Sequence, residues 1–296
     1  MTIVAGFPGK GMQVSGENNP ERAFVLLAAD SEESGYVLKS SVRKIAAIEK
    51  TKWKCLIGGA GGGQFIDFAV QEIGQRLPDG LTLTELREGI EKIVTEIHQK
   101  RIRPLKESGH EFELLCALWV SGEGVQLVKV GRGCSLIECQ PITIGYGEHL
   151  ARYLIDTYYV WDRPLYHVMR LAVYLLSQVK KFVLSCGGAS QIMWIDDAGL
   201  IGEMPLETVT EHERSNTAVM TVGPRGLLYL ADPDGWGKNL SKVEGVIDDV
   251  GKMVKDNIRK HYPELVPPVQ SDRVVKAIAA LKTGNDGEVA PVAADK

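Results

Sequence analysis

The chain has 296 residues, 44% of them hydrophobic, enough to bury a substantial core in one large domain or two small ones. A formal net charge of −4, with Lys and Arg scattered among Asp and Glu, offers no basic stripe for a nucleic-acid backbone. The start "MTIVAGFPGK" lacks a positive n-region and a long apolar h-region, and the run from Leu114 to Val120 is too short for a bilayer. A cytoplasmic protein with neither nucleic acid nor membrane as partner is therefore expected. Five cysteines without a CxxC pair suggest reduced, mostly buried thiols, and six dispersed histidines form no zinc pattern, so no metal is expected.

In chain order, the first third is rich in β-branched and apolar segments. Thr2 to Phe7, Ala23 to Ala29, Tyr36 to Lys39, Val42 to Ile48 and Lys54 to Ile57 are expected as short strands of an antiparallel meander. Between the first two, "PGKGMQVSGENNPE" reads as an extended, exposed hairpin loop. After the glycines Gly58, Gly59 and Gly61 to Gly63, a helix carries Phe65, Phe68, Ala69, Ile73 and Leu77 at helical spacing. A second helix begins at Thr82, where Thr82 and Glu85 make a capping-box pattern. It presents Leu86, Ile90, Ile93, Val94 and Ile97 on one face and ends near Pro104.

Strands are expected again at Glu113 to Val120, Val125 to Val130 and Ser135 to Glu138, with "SGEG" as a hairpin turn. One helix then runs from about Glu148 to Tyr159, and another starts after Pro164 with Val168, Met169, Ala172, Leu175, Leu176 and Val179 inward. "GASQIMWID" and "GLIGEM" read as a closing hairpin. Strands, two helices, strands, two helices and strands imply an α+β fold, a four-layer α/β/β/α sandwich of two antiparallel sheets. The main domain is expected over 2–231 and a helical C-terminal extension over 232–283, with helices from Ser241 and at Arg273 to Leu281. A disordered tail is expected over 284–296.

The glycine run is not a phosphate loop, because Gln64 and Phe65 stand where a Lys and a Ser or Thr are needed. Nor is it a dinucleotide fingerprint, since Gln64 takes the place of the last glycine. Two readings stay open. Bare backbone N–H groups there could face an anion or a developing oxyanion, or the glycines could simply allow a tight turn and close helix packing.

Thr2 follows the initiator Met1, which is commonly trimmed before a small residue. A threonine at a free N-terminus carries its own base in the α-amine. From Thr2 to about Met204, the order "TIVAGF", "VLLAADSEES", "VRKIAAI" and "LIGGAGGGQFIDFAVQEI" resembles the proteasome β-subunit family, including bacterial proteasome-like N-terminal-nucleophile hydrolases. The resemblance implies the N-terminal-nucleophile hydrolase fold, with Thr2 as nucleophile and Asp30 orienting. It also implies Lys44 lowering the pKa of the α-amine by its charge and the Gly59 N–H stabilising the oxyanion. No cofactor is implied. The partners implied are a homo-oligomeric ring and a peptide or small-amide substrate.

The chain departs from the family pattern at three supporting positions. Tyr146 of "GYG" falls on a serine, and in "VLSCGG" Val183 falls on an aspartate and Cys186 on a serine. Three functions are therefore carried forward: a threonine peptidase within a self-compartmentalising oligomer, an inactive structural or binding subunit, and a small-amide hydrolase of the same fold.

Overall fold

The computed structural model describes residues 2–12, 22–34, 39–105, 111–131, 134–160 and 163–214, together with 216, 248, 252 and 256. In chain order the strands are β1 (Ile3–Met12), β2 (Arg22–Asp30), β3 (Glu32–Ser34), β4 (Lys39–Ser41), β5 (Ile45–Glu49) and β6 (Trp53–Gly61). After two helices come β7 (Phe112–Val120), β8 (Gly124–Gly131), β9 (Cys134–Glu138) and β10 (Ile142–Gly145), and after two more β11 (Ser190–Asp196) and β12 (Ile201–Glu203). The helices are α1 (Gly63–Arg76), α2 (Leu83–Ile97), α3 (Glu148–Tyr158) and α4 (Leu165–Phe182), with α5 over 206–214.

β1 and β2 are apolar at nearly every position rather than at alternate ones, as strands covered on both faces must be. Ile3, Ala5, Phe7, Leu26 and Ala28 pack with α3 and α4, through Ile155, Val168, Ala172 and Leu176. Their neighbours Val4, Val25, Leu27 and Ala29 turn the other way, onto Leu56, Leu115 and Leu127 of the second sheet. That sheet packs its outer face on Ala69 and Ile73 of α1 and Leu86, Ile90 and Val94 of α2. Two five-stranded antiparallel sheets, β10-β1-β2-β11-β12 and β5-β6-β7-β8-β9, thus lie face to face between helix pairs. This is the four-layer α/β/β/α sandwich expected from the sequence.

The helix ends follow their local chemistry. At α2 the Glu85 N–H donates to Thr82 Oγ1 (3.2 Å) and the Thr82 N–H to Glu85 Oε2 (2.9 Å), closing the capping box. A π-helical turn (His98–Ile102) and a 3₁₀ turn (Arg103–Leu105) then carry the chain past Pro104. α3 and α4 span the two later helical segments, and β11 and β12 form the closing hairpin.

Several expectations need correction. The first strands are not one meander: β1 and β2 belong to one sheet and β5 and β6 to the other. The strand expected from Val42 begins only at Ile45, because the Gln191 side chain occupies the backbone before it. Its Oε1 accepts the Lys44 N–H (2.8 Å) and the Ile45 N–H, and its Nε2 donates to the Val42 carbonyl (3.1 Å). Pro8 to Met12 are strand rather than loop, and the rest of the expected hairpin loop, 13–21, lies outside the described residues. β10 and α5 were not foreseen. Of the strand expected over Tyr36 to Lys39, the part over 36–38 also lies outside.

The chain divides into two units, Met1–Val250 and Gly251–Lys296, and the sandwich belongs to the first. Of the helix expected from Ser241, only Asp248, Lys252 and Asp256 are described, each helical. The boundary at 231–232, the helix at Arg273 to Leu281 and the tail over 284–296 lie outside the described residues. Among the described residues no helix is long and apolar enough to cross a membrane.

Candidate active site

Thr2 stands just before β1, on the strand flanked by β2 and β10. Its carbonyl accepts the Tyr146 N–H (2.8 Å) from the turn after β10. Gly145 makes this approach possible: its φ is +100°, and a side chain there would run into the Thr2 carbonyl. Thr2 is 6% exposed, and its Oγ1 donates to Asp30 Oδ1 in a short hydrogen bond.

Asp30 ends β2 and is fully buried. Val4 pairs with Ala29, so one step along the ladder the Ile3 N–H reaches Asp30 Oδ1 (3.1 Å). The second carboxylate oxygen accepts the Gly187 N–H (2.9 Å) from the turn after α4. Lys44 completes the group, with Nζ 3.0 Å from Asp30 Oδ1 and 2.5 Å from Thr2 Oγ1, and a further short bond to the Glu32 carbonyl. Its side chain is 9% exposed.

A buried ion pair is costly unless the remaining donors and acceptors are met. Here they are. The three ammonium donors of Lys44 go to Thr2, Asp30 and Glu32, and the Asp30 carboxylate accepts from Thr2, Ile3, Lys44 and Gly187. The Thr2 hydroxyl oxygen receives a bond from a cation and gives its proton to an anion, a fixed geometry with one face left toward a pocket.

That pocket, of about 100 Å³, is lined by Thr2, Arg43, Lys44, Ile57, Gly59 and Ile66, among others. β5 begins opposite Gly58, at Ile45, so from Gly59 to Gly61 the β6 backbone has ladder partners in β7 and none in β5. The glycine run also proves to be strand rather than loop as far as Gly61. The missing side chains leave room for neighbours: a Cβ at Gly58 would lie 2.7 Å from Val4 Cγ1 of the facing sheet, and one at Gly59 2.5 Å from Ile66 Cγ2 of α1. Close packing therefore accounts for Gly58 and Gly59, and the Gly59 backbone also borders the pocket.

The structure brings Thr2, Asp30 and Lys44 into mutual hydrogen-bond distance and sets Gly59 in the wall beside them. The supporting positions are rearranged. The Tyr146 side chain is 64% exposed and contributes its backbone N–H, while Val183 caps α4 and packs on the core. Cys186 is buried, and burial first, then the Asp30 carboxylate, pushes its thiol up to about 11. Sequence reasoning missed Gly187, Gln191 and the Glu32 carbonyl. The paired glycines of "VLSCGG" were a signal for the first, whereas a lone Gln in an apolar strand gave none for the second.

No family model matches the sequence, and no curated protein does. Solved structures do match. Anbu, the ancestral β-subunit, from Yersinia bercovieri is 17% identical, with 83% of this chain and 97% of that one covered and a TM-score of 0.58. The Gly-1 mutant of Anbu from Hyphomicrobium sp. strain MC1 is 15% identical, with 77% and 96% covered and a TM-score of 0.61. The Anbu complex from Pseudomonas aeruginosa, described as a helical assembly, is 14% identical, with 75% and 94% covered and a TM-score of 0.59. These neighbours correct the resemblance drawn from the sequence: they are ancestral β-subunits, proteasome-like but distinct from proteasome β-subunits. At such identities the likeness is one of fold, and that fold is the sandwich of the N-terminal-nucleophile type.

Proposed function

We propose that this protein is a threonine-type N-terminal-nucleophile amide hydrolase, with Thr2 as nucleophile once Met1 has been removed. The observation that carries the reading is the Lys44 ammonium 2.5 Å from Thr2 Oγ1 and 3.0 Å from Asp30, in a buried group that opens on a pocket. The Thr2 amine takes the hydroxyl proton as Oγ1 attacks the amide carbonyl, and then gives that proton to the leaving amine as the C–N bond breaks. Water, deprotonated by the same amine, attacks the resulting ester and releases the acid with Oγ1 reprotonated. The Lys44 cation disfavours protonation of the amine, keeping it a base near neutral pH. Asp30 holds Lys44, the hydroxyl proton turns from Asp30 to the amine as Oγ1 attacks, and Gly59 donates its N–H to the oxyanion.

The substrate is a peptide or small amide, and the working form is a homo-oligomer with its sites enclosed. The assembly rests on the helical assembly of the Pseudomonas aeruginosa neighbour, and whether this chain closes a ring or stays an open helix is a property of its own contacts. A second reading, an inactive subunit kept for assembly, is favoured by the exposed Tyr146 side chain and the neutral Cys186 thiol where supporting hydroxyls are implied.

Intact mass before and after exposure to an epoxyketone separates the two, since that reagent needs both the hydroxyl and the free amine of an N-terminal threonine. Loss of Met1 and one adduct on the N-terminal peptide is the expected result. Retained Met1 without an adduct would establish the assembly subunit.

A further inference from the structure

The Gly187–Gly188 turn touches Asp30 directly, and the segment that anchors Lys44, through backbone alone. The Gly187 N–H binds Asp30 Oδ2 (2.9 Å), and the Gly187 carbonyl accepts the Ser31 N–H (3.2 Å) and the Glu32 N–H (3.0 Å). The Glu32 carbonyl is in turn an acceptor for Lys44 Nζ. One residue therefore fixes the rotation of the Asp30 carboxylate and the segment that anchors Lys44. The turn has little slack: Gly188 has φ +70°, and a Cβ there would lie 2.5 Å from Ser31 Oγ.

The turn is held from its other side by charge. Lys180, in the last turn of α4, donates from Nζ to the Gly188 carbonyl (2.9 Å) and pairs with Glu213 Oε1 of α5 (2.6 Å). The same Glu213 oxygen accepts from Ser190 Oγ (2.6 Å), and Ser190 stands opposite Asp30 in the β2–β11 ladder. The pair is mostly shielded, with Lys180 14% and Glu213 24% exposed, so it is stiffer than an ordinary surface pair.

We infer that Lys180 and Glu213 are positioning residues for the Thr2 centre, acting through the Gly187–Gly188 turn on Asp30 and Lys44. This deepens the hydrolase reading and rests on it. Glu213 sets Lys180, Lys180 sets the Gly188 carbonyl, and the turn sets the carboxylate and the ammonium that surround Thr2. The alternative is an ion pair that merely ties α5 to α4, and the two roles differ in what a charge exchange does. Lys180→Glu with Glu213→Lys keeps the pair but removes the donor to Gly188.

The effect of positioning is read in the pH profile. The titratable and charged groups around Thr2 are Asp30 and Glu32 from the β2–β3 segment, Arg43 and Lys44 from the segment before β5, Asp67 from α1 and Cys186 from the turn after α4. Lys44 is the cation in contact with Thr2, and loosening it lets the Thr2 amine hold its proton to higher pH. The rising limb of the rate against pH then moves upward. A loss of folded protein scales the rate at every pH and leaves the limb in place.

The test is the second-order rate of epoxyketone adduct formation between about pH 5.5 and 9, with melting temperatures, for wild type, Glu213→Gln, Lys180→Met and the exchanged pair. Lys180→Met and the exchanged pair are expected to react about tenfold more slowly with the limb at higher pH, and the exchanged pair to melt near wild type. Full rate in the exchanged pair, or a rate lost only in proportion to folded protein, overturns the inference. If Lys180→Met fails to fold, the exchanged pair and Glu213→Gln decide it by the same limb shift. An inert wild type sinks the hydrolase reading and this inference with it, whereas a reactive wild type with indifferent variants sinks the positioning role alone.

Discussion

At Thr2 the hydroxyl lies between the Lys44 cation and the Asp30 anion, and each of the three makes the others tolerable in a buried place. Removing the carboxylate leaves Lys44 without its charge partner, so Asp30→Ala is expected to cost about 3–5 kcal/mol in chemical denaturation and to abolish adduct formation. On the hydrolase proposal, Thr2→Ala should fold and melt close to wild type yet take no adduct by intact mass, which separates the proposed nucleophile from its scaffold. Cys186, with its thiol pushed up to about 11, is expected to resist iodoacetamide in the native protein at pH 8, since little of it is thiolate there. The exposed Cys134 and Cys139 should label first in peptide mapping. Thr2, Asp30 and Lys44 were legible in the sequence because each is a side chain at a fixed place in a short motif. The Glu32 carbonyl acts through backbone, which leaves no residue-type signature, and for Gly187 the paired glycines mark a turn without saying what its N–H meets.

Among the elements, α1 and α2 were readable because their apolar residues recur on one face and a capping box marks where α2 starts. That cap predicts its own test: Thr82→Ala is expected to cost about 1 kcal/mol, seen as a lowered denaturation midpoint with an unchanged slope. β6 was cut short in the sequence reading because a glycine run looks like a loop. The strand continues because Val4 and Ile66 fill the space that side chains would take. At Gly61, φ of +118° and the adjacent Glu111 carbonyl forbid a Cβ, so Gly61→Ala should lose about 1–3 kcal/mol from backbone strain alone, with steric repulsion added. β10 was missed because four residues carry too little periodicity, and α5 because its sequence "LETVTEHER" is mostly polar and buries little beyond Val209 and His212.

For the whole molecule, the alternation of strand groups and helix pairs was enough to anticipate two stacked sheets, since each layer needs a cover on its apolar face. Which strand joins which sheet was not legible, because that is decided by pairings between distant segments such as β2 with β11. Assembly belongs to this scale too: light scattering after size exclusion is expected to give a mass several times that of one chain, and a monomer would remove the enclosed-site part of the proposal. The dependence of Asp30 on the Gly187 N–H has a consequence for biosynthesis. A ribosome delivers Thr2, Asp30 and Lys44 early and Gly187 more than 140 residues after Lys44. Until then the first sheet lacks β11, the carboxylate lacks the amide that holds it, and Thr2 stands in an unfinished setting. On the hydrolase proposal, the order of synthesis keeps the centre incomplete until most of the sandwich has left the ribosome.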